Sequence, residues 1–444
     1  MLVNTMKLVF FTTIVLSLFL NKQVYGSIDK VDSKWVNLFN GKNLSNWINV
    51  NTDESTWYVE NEMIRCTGKP TGLLRTNKIY ENFILECEWR HNTENGNAGI
   101  FVWSDPLPAP GVPFSRSIEV QVMLGTETKD YTSEGDIFSI WGATLTPTNP
   151  HPSGWNRSLP TEARTKGAGK WNHYRIICNN GKIQLAVNGK IVSSGFDCNP
   201  RSGYICLESE GSSVDFRNIK IKEINTYTSP YSAVANNATG FKPLFNGLNL
   251  KNWVLPRGQN KNWSVKGTNI FLNGEGGDLW SKDSFENFEL ICDWRWVGEH
   301  QGIKKRWIIL PDGTYAIDNK SSERKTINIE ERDSGIYLRG SSKSQVNIWS
   351  WPVGSGEVWG YRTDSSLDPD IRASVTPRVK ADNPIGKWNR FYIQMKNEEL
   401  TVLLNGITII SDAKLKGIPK RGPIGLQSHG SPIEFTNILI RETK

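Results

Sequence analysis

The sequence contains the same series of motifs twice, in the same order. "LFNGKNLSNW" (38–47) returns as "LFNGLNLKNW" (244–253), and "YENFILECEWR" (80–90) returns as "FENFELICDWR" (285–295). Four further pairs are "AGIF" (98–101) and "SGIY" (334–337), "GKWNHYRI" (169–176) and "GKWNRFYI" (386–393), "LAVNGKIV" (185–192) and "VLLNGITI" (402–409), and "GYICLESEGSSVDFRNIKI" (203–221) and "GPIGLQSHGSPIEFTNILI" (422–440). A spacing of roughly 200 residues is far longer than a solenoid unit, so the pattern predicts two complete domains in tandem.

The boundaries of the two copies follow from the motifs. Copy one runs from about Ser33 to Ile224, and copy two runs from about Phe241 to Lys444 (241–444). Residues 225–240, "NTYTSPYSAVANNATG", are small, polar and without periodicity, which predicts a linker.

Each copy has the pattern of an all-β domain. "FILECEW" (83–89) alternates apolar and acidic residues, as a half-buried strand does. "NNG" (179–181) and "VNGK" (187–190) are hairpin signals between runs of β-branched residues. Neither copy contains a convincing amphipathic helix of 12 residues. An all-β domain of this size is most simply a two-sheet sandwich of the jelly-roll type.

The N-terminus has the features of a cleaved signal peptide (1–26). Lys7 precedes the 13-residue apolar run "LVFFTTIVLSLFL" (8–20), and small or medium residues follow at Val24 and Gly26. An uncleaved anchor is the alternative, although the run is short for a membrane span. No later segment is apolar enough to cross a bilayer. We therefore predict a periplasmic or secreted protein without stable membrane insertion.

Charge and cysteine content exclude several classes of function. The net charge of +7 is spread along 444 residues with no basic run, so no nucleic-acid partner is expected. None of the six cysteines has zinc-ligand spacing. Cys87 and Cys292 occupy matching strands, where a small buried apolar residue explains both. Cys198 and Cys206 are candidates for a disulfide that closes a local loop, because export makes disulfides possible.

The copies differ in two loops. Copy two has about 30 additional residues, an insertion that includes residues 304–332, and "LPDGTYAI" (310–317) within them predicts a hairpin. Copy one has a longer loop at 141–160. Loops at the edges of a sandwich commonly shape a ligand site.

The ordered motifs resemble the 3-keto-disaccharide hydrolase domain family. Copy one carries "GNAGIF", "IEVQVM" and "ESEGSSVDFRNIKIKE", and copy two carries "DSGIYLRGSSKSQVNIWSWPVGSGEVWGYRTD" and "IGKWNRFYIQM". The resemblance covers nearly all of the chain after the signal peptide. It implies a concanavalin A-like jelly roll in each copy, and action on glycosides that already carry a ketone at C3. Fold alone would not support that activity.

Strand alternation selects the candidate site residues of copy one. A strand presents every second residue to one face, so "SIEVQVM" places Glu119 and Gln121 together, and "LESEG" does the same for Glu208 and Glu210. Asp136 follows close behind the Glu119 strand. Candidate stacking surfaces for a sugar are Trp103, Trp141 and Trp155. Isolated acidic residues on strands are usually solvated surface, and tryptophans also fill sandwich cores.

The matching positions of copy two carry a different polar set. Gln345 and Asn347 replace Glu119 and Gln121, and Glu357 replaces Asp136. The pair Glu208 and Glu210 becomes Gln427 and His429. The additional donors are Arg339, Tyr361 and Arg362. His429 is a candidate base, because imidazole titrates near neutral pH, and binding of sugar hydroxyls is the equal alternative.

A 3-keto sugar would suit this set of candidates. The ketone acidifies the proton on C2, so a base can remove it and the enolate can expel the C1 substituent, after which water adds. The route needs a base, an acid and a group that steadies the enolate, for which a divalent cation is one option. Direct two-carboxylate glycoside hydrolysis would use similar residues. The catalytic candidates are Glu119, Glu208, Glu210, Glu357 and His429.

Two functions from different classes remain open at this point. One is an exported enzyme that acts on 3-keto-glycosides and depends on an upstream sugar 3-oxidoreductase. The other is a non-catalytic, lectin-like protein with two carbohydrate-binding modules.

Overall fold

A computed structural model describes residues 34–124, 134–224, 240–257 and 261–444. The predicted signal peptide, and all but the last residue of the predicted linker, lie outside these ranges. Within them, no helix has the length and apolar character needed to cross a membrane. Below, residues 34–224 are called the first half and residues 240–444 the second half; both belong to one compact unit.

The first half consists of two antiparallel β-sheets. Its strands are β1 (Val36–Asn37), β2 (Trp47–Asn49), β3 (Trp57–Glu60), β4 (Met63–Cys66), β5 (Gly72–Thr76), β6 (Phe83–His91), β7 (Asn97–Ser104), β8 (Ser117–Met123), β9 (Ile137–Ile140), β10 (Thr144–Pro147), β11 (Arg157–Ser158), β12 (Asn172–Asn179), β13 (Lys182–Val187), β14 (Lys190–Asn199), β15 (Tyr204–Ser209) and β16 (Val214–Glu223). The larger sheet has the order β10-β14-β13-β12-β6-β16-β4-β3, with β1 also paired to β16. The smaller sheet has the order β11-β9-β8-β7-β15-β5-β2.

The second half repeats this arrangement. Its elements are β17 (Lys242–Pro243), β18 (Trp253–Val254), β19 (Trp263–Lys266), β20 (Asn269–Leu272), β21 (Leu279–Phe285), β22 (Phe288–Trp296), β23 (Ile303–Trp307), β24 (Thr326–Glu330), β25 (Asp333–Leu338), β26 (Ser341–Trp349), α1 (Trp359–Arg362), α2 (Pro369–Ser374), β27 (Asn389–Lys396), β28 (Glu399–Leu404), β29 (Ile407–Lys414), β30 (Gly422–Leu426) and β31 (Ile433–Glu442). The larger sheet has the order β19-β20-β31-β22-β27-β28-β29, with β17 paired to β31, and the smaller sheet has the order β18-β21-β30-β25-β26.

Alternating side chains explain why each half closes into a sandwich. Along β6, Phe83, Leu85, Cys87 and Trp89 are all buried in the core, while the residues between them are half-buried. Cys292 occupies the matching core position on β22. The predicted fold is confirmed: the chain is all-β, with two concanavalin A-like jelly-roll sandwiches in tandem.

The same alternation positions the polar residues of β8. Ile118, Val120 and Val122 point into the core between the two sheets. Glu119 and Gln121 therefore project from the opposite, outer face of the smaller sheet. This is the arrangement that the sequence predicts.

The proposed Cys198–Cys206 disulfide is wrong. Cys198 lies on β14 in the larger sheet and Cys206 lies on β15 in the smaller sheet. All six cysteines are buried free thiols.

The insertion of the second half forms a two-stranded ribbon. β23 and β24 pair antiparallel, from Ile303 opposite Glu330 to Trp307 opposite Thr326. Further along the ribbon, a bridge joins Ile309 to Tyr315, which confirms the predicted hairpin.

A proline-rich loop of the first half, residues 105–116, docks onto the larger sheet of the second half. At its centre is the fully buried carboxylate of Asp293, which accepts hydrogen bonds from Arg390 at 2.6 and 2.8 Å. The same carboxylate accepts from the backbone N–H of Gly111 at 2.9 Å and from the side chain of Asn437 at 2.7 Å. A buried charge with this many donors forms a stable joint between the halves.

A second contact joins Asp53 of the first half to the turn that begins the second half. Its carboxylate accepts from Asn246 at 2.7 Å and pairs with the ammonium of Lys251. Burial acts to raise the pKa of Asp53, but the hydrogen bonds from Lys251, Ser55 and Asn246 lower it overall.

Candidate active site

The two halves place polar clusters at equivalent points on the outer faces of their smaller sheets. In the first half, the backbone N–H of Gln121 donates to the carbonyl of Asp136 at 2.9 Å. In the second half, the N–H of Asn347 donates to the carbonyl of Glu357 at 2.9 Å. This shared backbone hydrogen bond supports the predicted equivalence of Asp136 and Glu357. The segments that follow these two residues have different structures.

Glu119 and Glu208 form the centre of the first cluster. They lie on β8 and β15, on either side of β7, and are only 5 % and 1 % exposed. A Cβ atom at Gly99, on the strand between them, would lie 2.7 Å from Oε1 of Glu119 and 2.8 Å from Oε2 of Glu208. Glycine is therefore needed at position 99 to let the two carboxyl groups meet.

The two carboxyl groups retain protons more strongly than ordinary glutamates. Burial raises the pKa of Glu119 well above its usual value, and the nearby charge of Glu210 raises it further. Burial also raises the pKa of Glu208, with Glu119 and Glu210 adding to the effect. Two like charges in a buried site cannot both be ionised without a large cost, so the pair holds a proton.

Glu210 completes this cluster at the end of β15. Its Oε2 accepts a hydrogen bond from Asn97 at 2.6 Å, and the carbonyl oxygen of the Asn97 side chain accepts from Gln121 at 2.5 Å. Burial raises the pKa of Glu210, and the bond from Asn97 opposes that shift. Gln121 is fully buried, and its Oε1 has no hydrogen-bond partner.

Asp136 is close to the cluster but is committed to an ion pair. Its Oδ2 accepts from Arg157 at 2.9 Å, and both side chains are buried. Arg157 also lies over the ring of Phe138, with its guanidinium carbon 4.0 Å from the ring centroid. Asp136 therefore neutralises Arg157 inside the protein and is not placed as a direct sugar contact.

In the second half, an amide pair replaces the central carboxyl pair. The Nε2 of Gln345 donates to Oε1 of Gln427 at 2.5 Å. Gln345 lies on β26 and Gln427 directly follows β30, which are the counterparts of β8 and β15. Because both amides are neutral, no proton has to be held at these two positions.

The second difference between the two clusters is a histidine–aspartate pair in the second half. His429 takes the position of Glu210, and Asp333 takes the position of Asn97, with 3.1 Å between Nδ1 of His429 and Oδ2 of Asp333. The bond to Asp333 raises the pKa of His429 above 6.5, while partial burial opposes it. Burial raises the pKa of Asp333, and His429 acts in the opposite direction.

Glu357 and Arg362 form a buried ion pair at the floor of this second cluster. The remaining carboxylate oxygen of Glu357 is 3.5 Å from Nδ2 of Asn347. Arg362 also donates to the hydroxyl of Tyr315, at 3.2 Å, which comes from the ribbon insertion. Glu357 and Arg362 therefore support the cluster from inside the protein, and neither residue lines the open groove.

An open groove of about 590 Å³ lies over the second cluster. The residues that line it are Asp333, Ser342, Lys343, Gln345, Asn347, Trp349, Trp351, Trp359, Gly360, Gln427 and His429. Trp349 and Trp351 stack with ring centroids 4.4 Å apart, and Trp359 is 52 % exposed. Amide, ammonium and imidazole groups thus share the groove with flat apolar surfaces, a combination suited to a sugar ring.

Three predicted binding residues are wrong, because the structure packs them inside the protein. Trp103 lies in the core and donates from its indole to the carbonyl of Glu81 at 2.7 Å. Arg339, its counterpart, donates to the carbonyl of Glu286 at 2.6 Å and to that of Asn397 at 2.6 Å. Tyr361 is buried in the core of the second half and donates to the carbonyl of Lys416, at 3.2 Å.

The two remaining tryptophan candidates do not line the groove of the second half. Trp141 is half-exposed and lines a different cavity, described below. Trp155 stacks on His151, with ring centroids 4.7 Å apart, and is 42 % exposed.

Several site residues were missed by the sequence analysis. Asn97 and Asp333 each stand two positions before the glycine of the shared "GI" motif and could have been found by extending the alignment of the halves. Arg157 comes from a segment with no counterpart, and no signal marks it. Across the described ranges, no group of three or more His, Cys, Asp or Glu side chains is arranged to hold a metal ion. The divalent cation thus stays a prediction.

Comparisons with known proteins place the chain in a family. The model of the 3-keto-alpha-glucoside-1,2-lyase-like domain matches residues 34–222 and again residues 240–441. A search of curated proteins gave no match. Two crystal structures of candidate glycosyl hydrolases from Parabacteroides distasonis ATCC 8503 are similar: one has 22 % identity and a TM-score of 0.34, covering 43 % of this chain and 94 % of that one. The other has 25 % identity and a TM-score of 0.33, covering 43 % and 100 %.

A carbohydrate-binding module from Bacillus subtilis is a further similar structure, with 13 % identity, a TM-score of 0.30, and coverage of 41 % of this chain and 98 % of that one. The two family matches together span most of the sequence. The chain is therefore a carbohydrate-acting jelly-roll protein that belongs to the 3-keto-alpha-glucoside-1,2-lyase-like domain family.

Proposed function

We propose that this protein cleaves 3-keto-glycosides by elimination across C1 and C2 followed by addition of water, and that the groove of the second half is the catalytic site. The observation that carries the proposal is the His429–Asp333 pair, which stands at an open groove with apolar aromatic walls. We also propose that the protein is exported, on the strength of residues 8–20, and that a separate sugar 3-oxidoreductase supplies the keto sugar.

His429 has the geometry of a general base. Asp333 accepts a hydrogen bond from Nδ1, so the lone pair for proton abstraction is on Nε2. The bond to Asp333 also stabilises the imidazolium that forms when the proton is taken up. The pKa of His429 is raised above its usual value of 6.5 by Asp333, which makes the imidazole a stronger base.

The number of carboxylates favours elimination over direct hydrolysis. Among the groove-lining residues that the structure describes, Asp333 is the sole carboxylate, and it is engaged with His429. Direct glycoside hydrolysis generally uses two carboxyl groups on either side of the scissile bond. Removal of the proton next to a ketone needs one base, with donors for the enolate oxygen. The amides of Asn347 and Gln427 and the ammonium of Lys343 are the donors in the groove.

The reaction balances with these groups alone. The C2–H bond breaks and its proton goes to Nε2 of His429, a C1=C2 double bond forms, and the C1–O bond breaks with its electron pair on the leaving oxygen. That oxygen takes the proton from the imidazolium. Water then adds its hydroxyl to C1 and a proton to C2, so the overall change is hydrolysis of the glycoside.

The cluster of the first half has no catalytic role in this proposal. Glu119 and Glu208 are too deeply buried to touch a sugar, and neither residue lines any of the five cavities found among the described residues. We therefore assign no catalytic step to Glu119, Glu208 or Glu210.

The test is an assay with aryl 3-keto-α- and 3-keto-β-glucosides. We expect His429→Ala to lose at least about 100-fold in kcat, as removal of a general base does, while Glu119→Gln stays within about twofold of the wild type. His173→Ala, a partly exposed histidine outside the groove, is the matched control. Turnover in D₂O should place one deuterium on C2 of the product, because water adds to the double bond.

Two results would overturn the proposal. If His429→Ala and Glu119→Gln turn over equally well, the site assignment is wrong. If the product contains no deuterium at C2, the glycoside is hydrolysed directly and elimination is wrong.

The second candidate function is carbohydrate binding without catalysis. The three tryptophans and three amides of the groove, which need no base to bind a sugar, favour it. Binding of glycans to the wild type, with no turnover of any 3-keto-glucoside, would decide for this alternative.

A further inference from the structure

A second and larger cavity lies where the two halves meet. It has a volume of about 1170 Å³, and its lining includes the proline-rich loop at 106–110, the segment 197–202 and Arg390 of the second half. This volume is slightly above the usual range for ligand sites in proteins. The cavity shares no lining residue with the groove around His429.

Trp141 gives this cleft a flat apolar surface. It directly follows β9, is 50 % exposed and has a positive φ of 51°. An indole held half in solvent leaves a large apolar area uncovered. Ring C–H groups of a pyranose are the natural complement of such a surface, because they are apolar and nearly planar.

The lining of the cleft carries equal numbers of positive and negative side chains: Arg116, Arg201 and Arg390, and Glu81, Asp105 and Asp197. Arg116 makes two hydrogen bonds to Asp105, at 3.0 and 3.1 Å, and Arg390 is bound to Asp293. Arg201 donates to the carbonyl of Cys198 at 3.2 Å. The lining therefore offers donors and acceptors without a strong excess of either sign, which fits a neutral polyhydroxy ligand better than an anion.

One acceptor in the lining has no partner. Oε2 of Glu81 is buried and makes no hydrogen bond within the protein. A buried carboxylate oxygen without a donor costs free energy. A turn of the half-buried Glu81 side chain towards the cleft would bring this oxygen to a ligand hydroxyl and recover that free energy. Trp141 thus contributes an exposed apolar surface to the cleft, and Glu81 contributes a hydrogen-bond acceptor that has no partner within the protein.

We propose that this cleft between the halves is a second carbohydrate site, which binds a neutral oligosaccharide by stacking on Trp141 and by hydrogen bonding to Glu81. It is separate from the groove of the second half and does not depend on catalysis there. Its role is to hold a glycan chain on the surface of the protein.

The experiment uses the full chain with the groove disabled by His429→Ala and Trp359→Ala. Titration calorimetry with cello-, laminari- and malto-oligosaccharides of four to eight residues should show binding of at least one series. Adding Trp141→Ala should weaken that binding by about tenfold or more, and adding Glu81→Gln by about threefold or more. Trp155→Ala, an exposed tryptophan on the same segment but outside the cleft, should stay within about twofold.

Three outcomes would overturn the proposal. The first is the absence of binding by every series to the groove-disabled protein. The second is equal binding by the Trp141→Ala and Trp155→Ala variants when both retain the thermal unfolding temperature of their parent. The third is tighter binding of a sulfated series than of the neutral one, which would make the ligand an anion.

Discussion

The first prediction tests the carboxyl pair of the first half. The second half has an amide pair at the same two positions and so supplies the substitutions to make. Replacing both Glu119 and Glu208 with glutamine would install the amide pair seen between Gln345 and Gln427. The size and shape of each side chain are nearly unchanged, so packing around Gly99 is kept. What changes is the requirement that a proton be held between two buried carboxyl groups.

The magnitude follows from proton linkage. In the unfolded chain a glutamate releases its proton near pH 4.5, whereas the folded protein retains it because the pKa of both Glu119 and Glu208 is raised. The free energy of unfolding must then fall as the pH rises above 4.5, until the raised folded pKa is passed. Each retained proton contributes a slope of about 1.4 kcal/mol per pH unit. For each pH unit above 4.5 over which the folded protein keeps one proton on the pair, the variant should therefore gain about 1.4 kcal/mol relative to the wild type.

The assay is unfolding by urea at pH 5, 6 and 7, followed both by tryptophan fluorescence and by hydrogen exchange of peptides from β8 and β15. The peptides are needed because two halves need not unfold in one step. Glu54→Gln, an exposed glutamate in the same half, is the control and should show the pH dependence of the wild type. If the double variant and the wild type remain parallel from pH 5 to pH 7, the pair does not hold a proton and the account of the first cluster is refuted.

Three further predictions concern the second half and the joint. The pH profile of kcat/KM should rise through a pKa above 6.5, that of His429, and Asp333→Asn should move this rise to lower pH; an unmoved profile would contradict the role of Asp333. Trp359→Ala should raise KM by about tenfold with kcat nearly unchanged, since a groove wall binds ground and transition states alike, and a selective loss of kcat in steady-state kinetics would count against it. Asp293→Ala should lower the free energy of unfolding by about 3 kcal/mol, because it leaves Arg390 without its partner, and a calorimetric loss below about 1 kcal/mol would argue against the joint.

The sandwich and the outward residues of its strands were predictable because alternation is a local property. Glu119 and Gln121 lie on the face opposite Ile118 and Val120, as a period of two requires. The equivalence of Glu357 with Asp136 was also predictable, since the surrounding strands can be aligned by their glycines.

The burial of Trp103 and Arg339 depends on local backbone geometry. Both have a positive φ, of 54° and 51°: Trp103 lies at a register shift between β7 and β15, and Arg339 lies in the turn between β25 and β26. Nothing in the sequence marks these two backbone conformations. Arg157 and Arg362 were beyond prediction as ion-pair partners, because they reach equivalent carboxylates from segments that cannot be aligned.

Glu210 and Asn97 of the first half correspond to His429 and Asp333 of the second half. The order in which the two residues are substituted decides which intermediate pair the protein has to accommodate. Asparagine and histidine can hydrogen-bond to each other, so replacing the glutamate first gives a satisfied intermediate. Replacing the asparagine first would set an aspartate against a glutamate at the 2.6 Å contact of Asn97 with Glu210, where two anions repel. The first path therefore costs less free energy than the second. The two-step construction of an Asp–His pair in the first half should accordingly begin with Glu210→His.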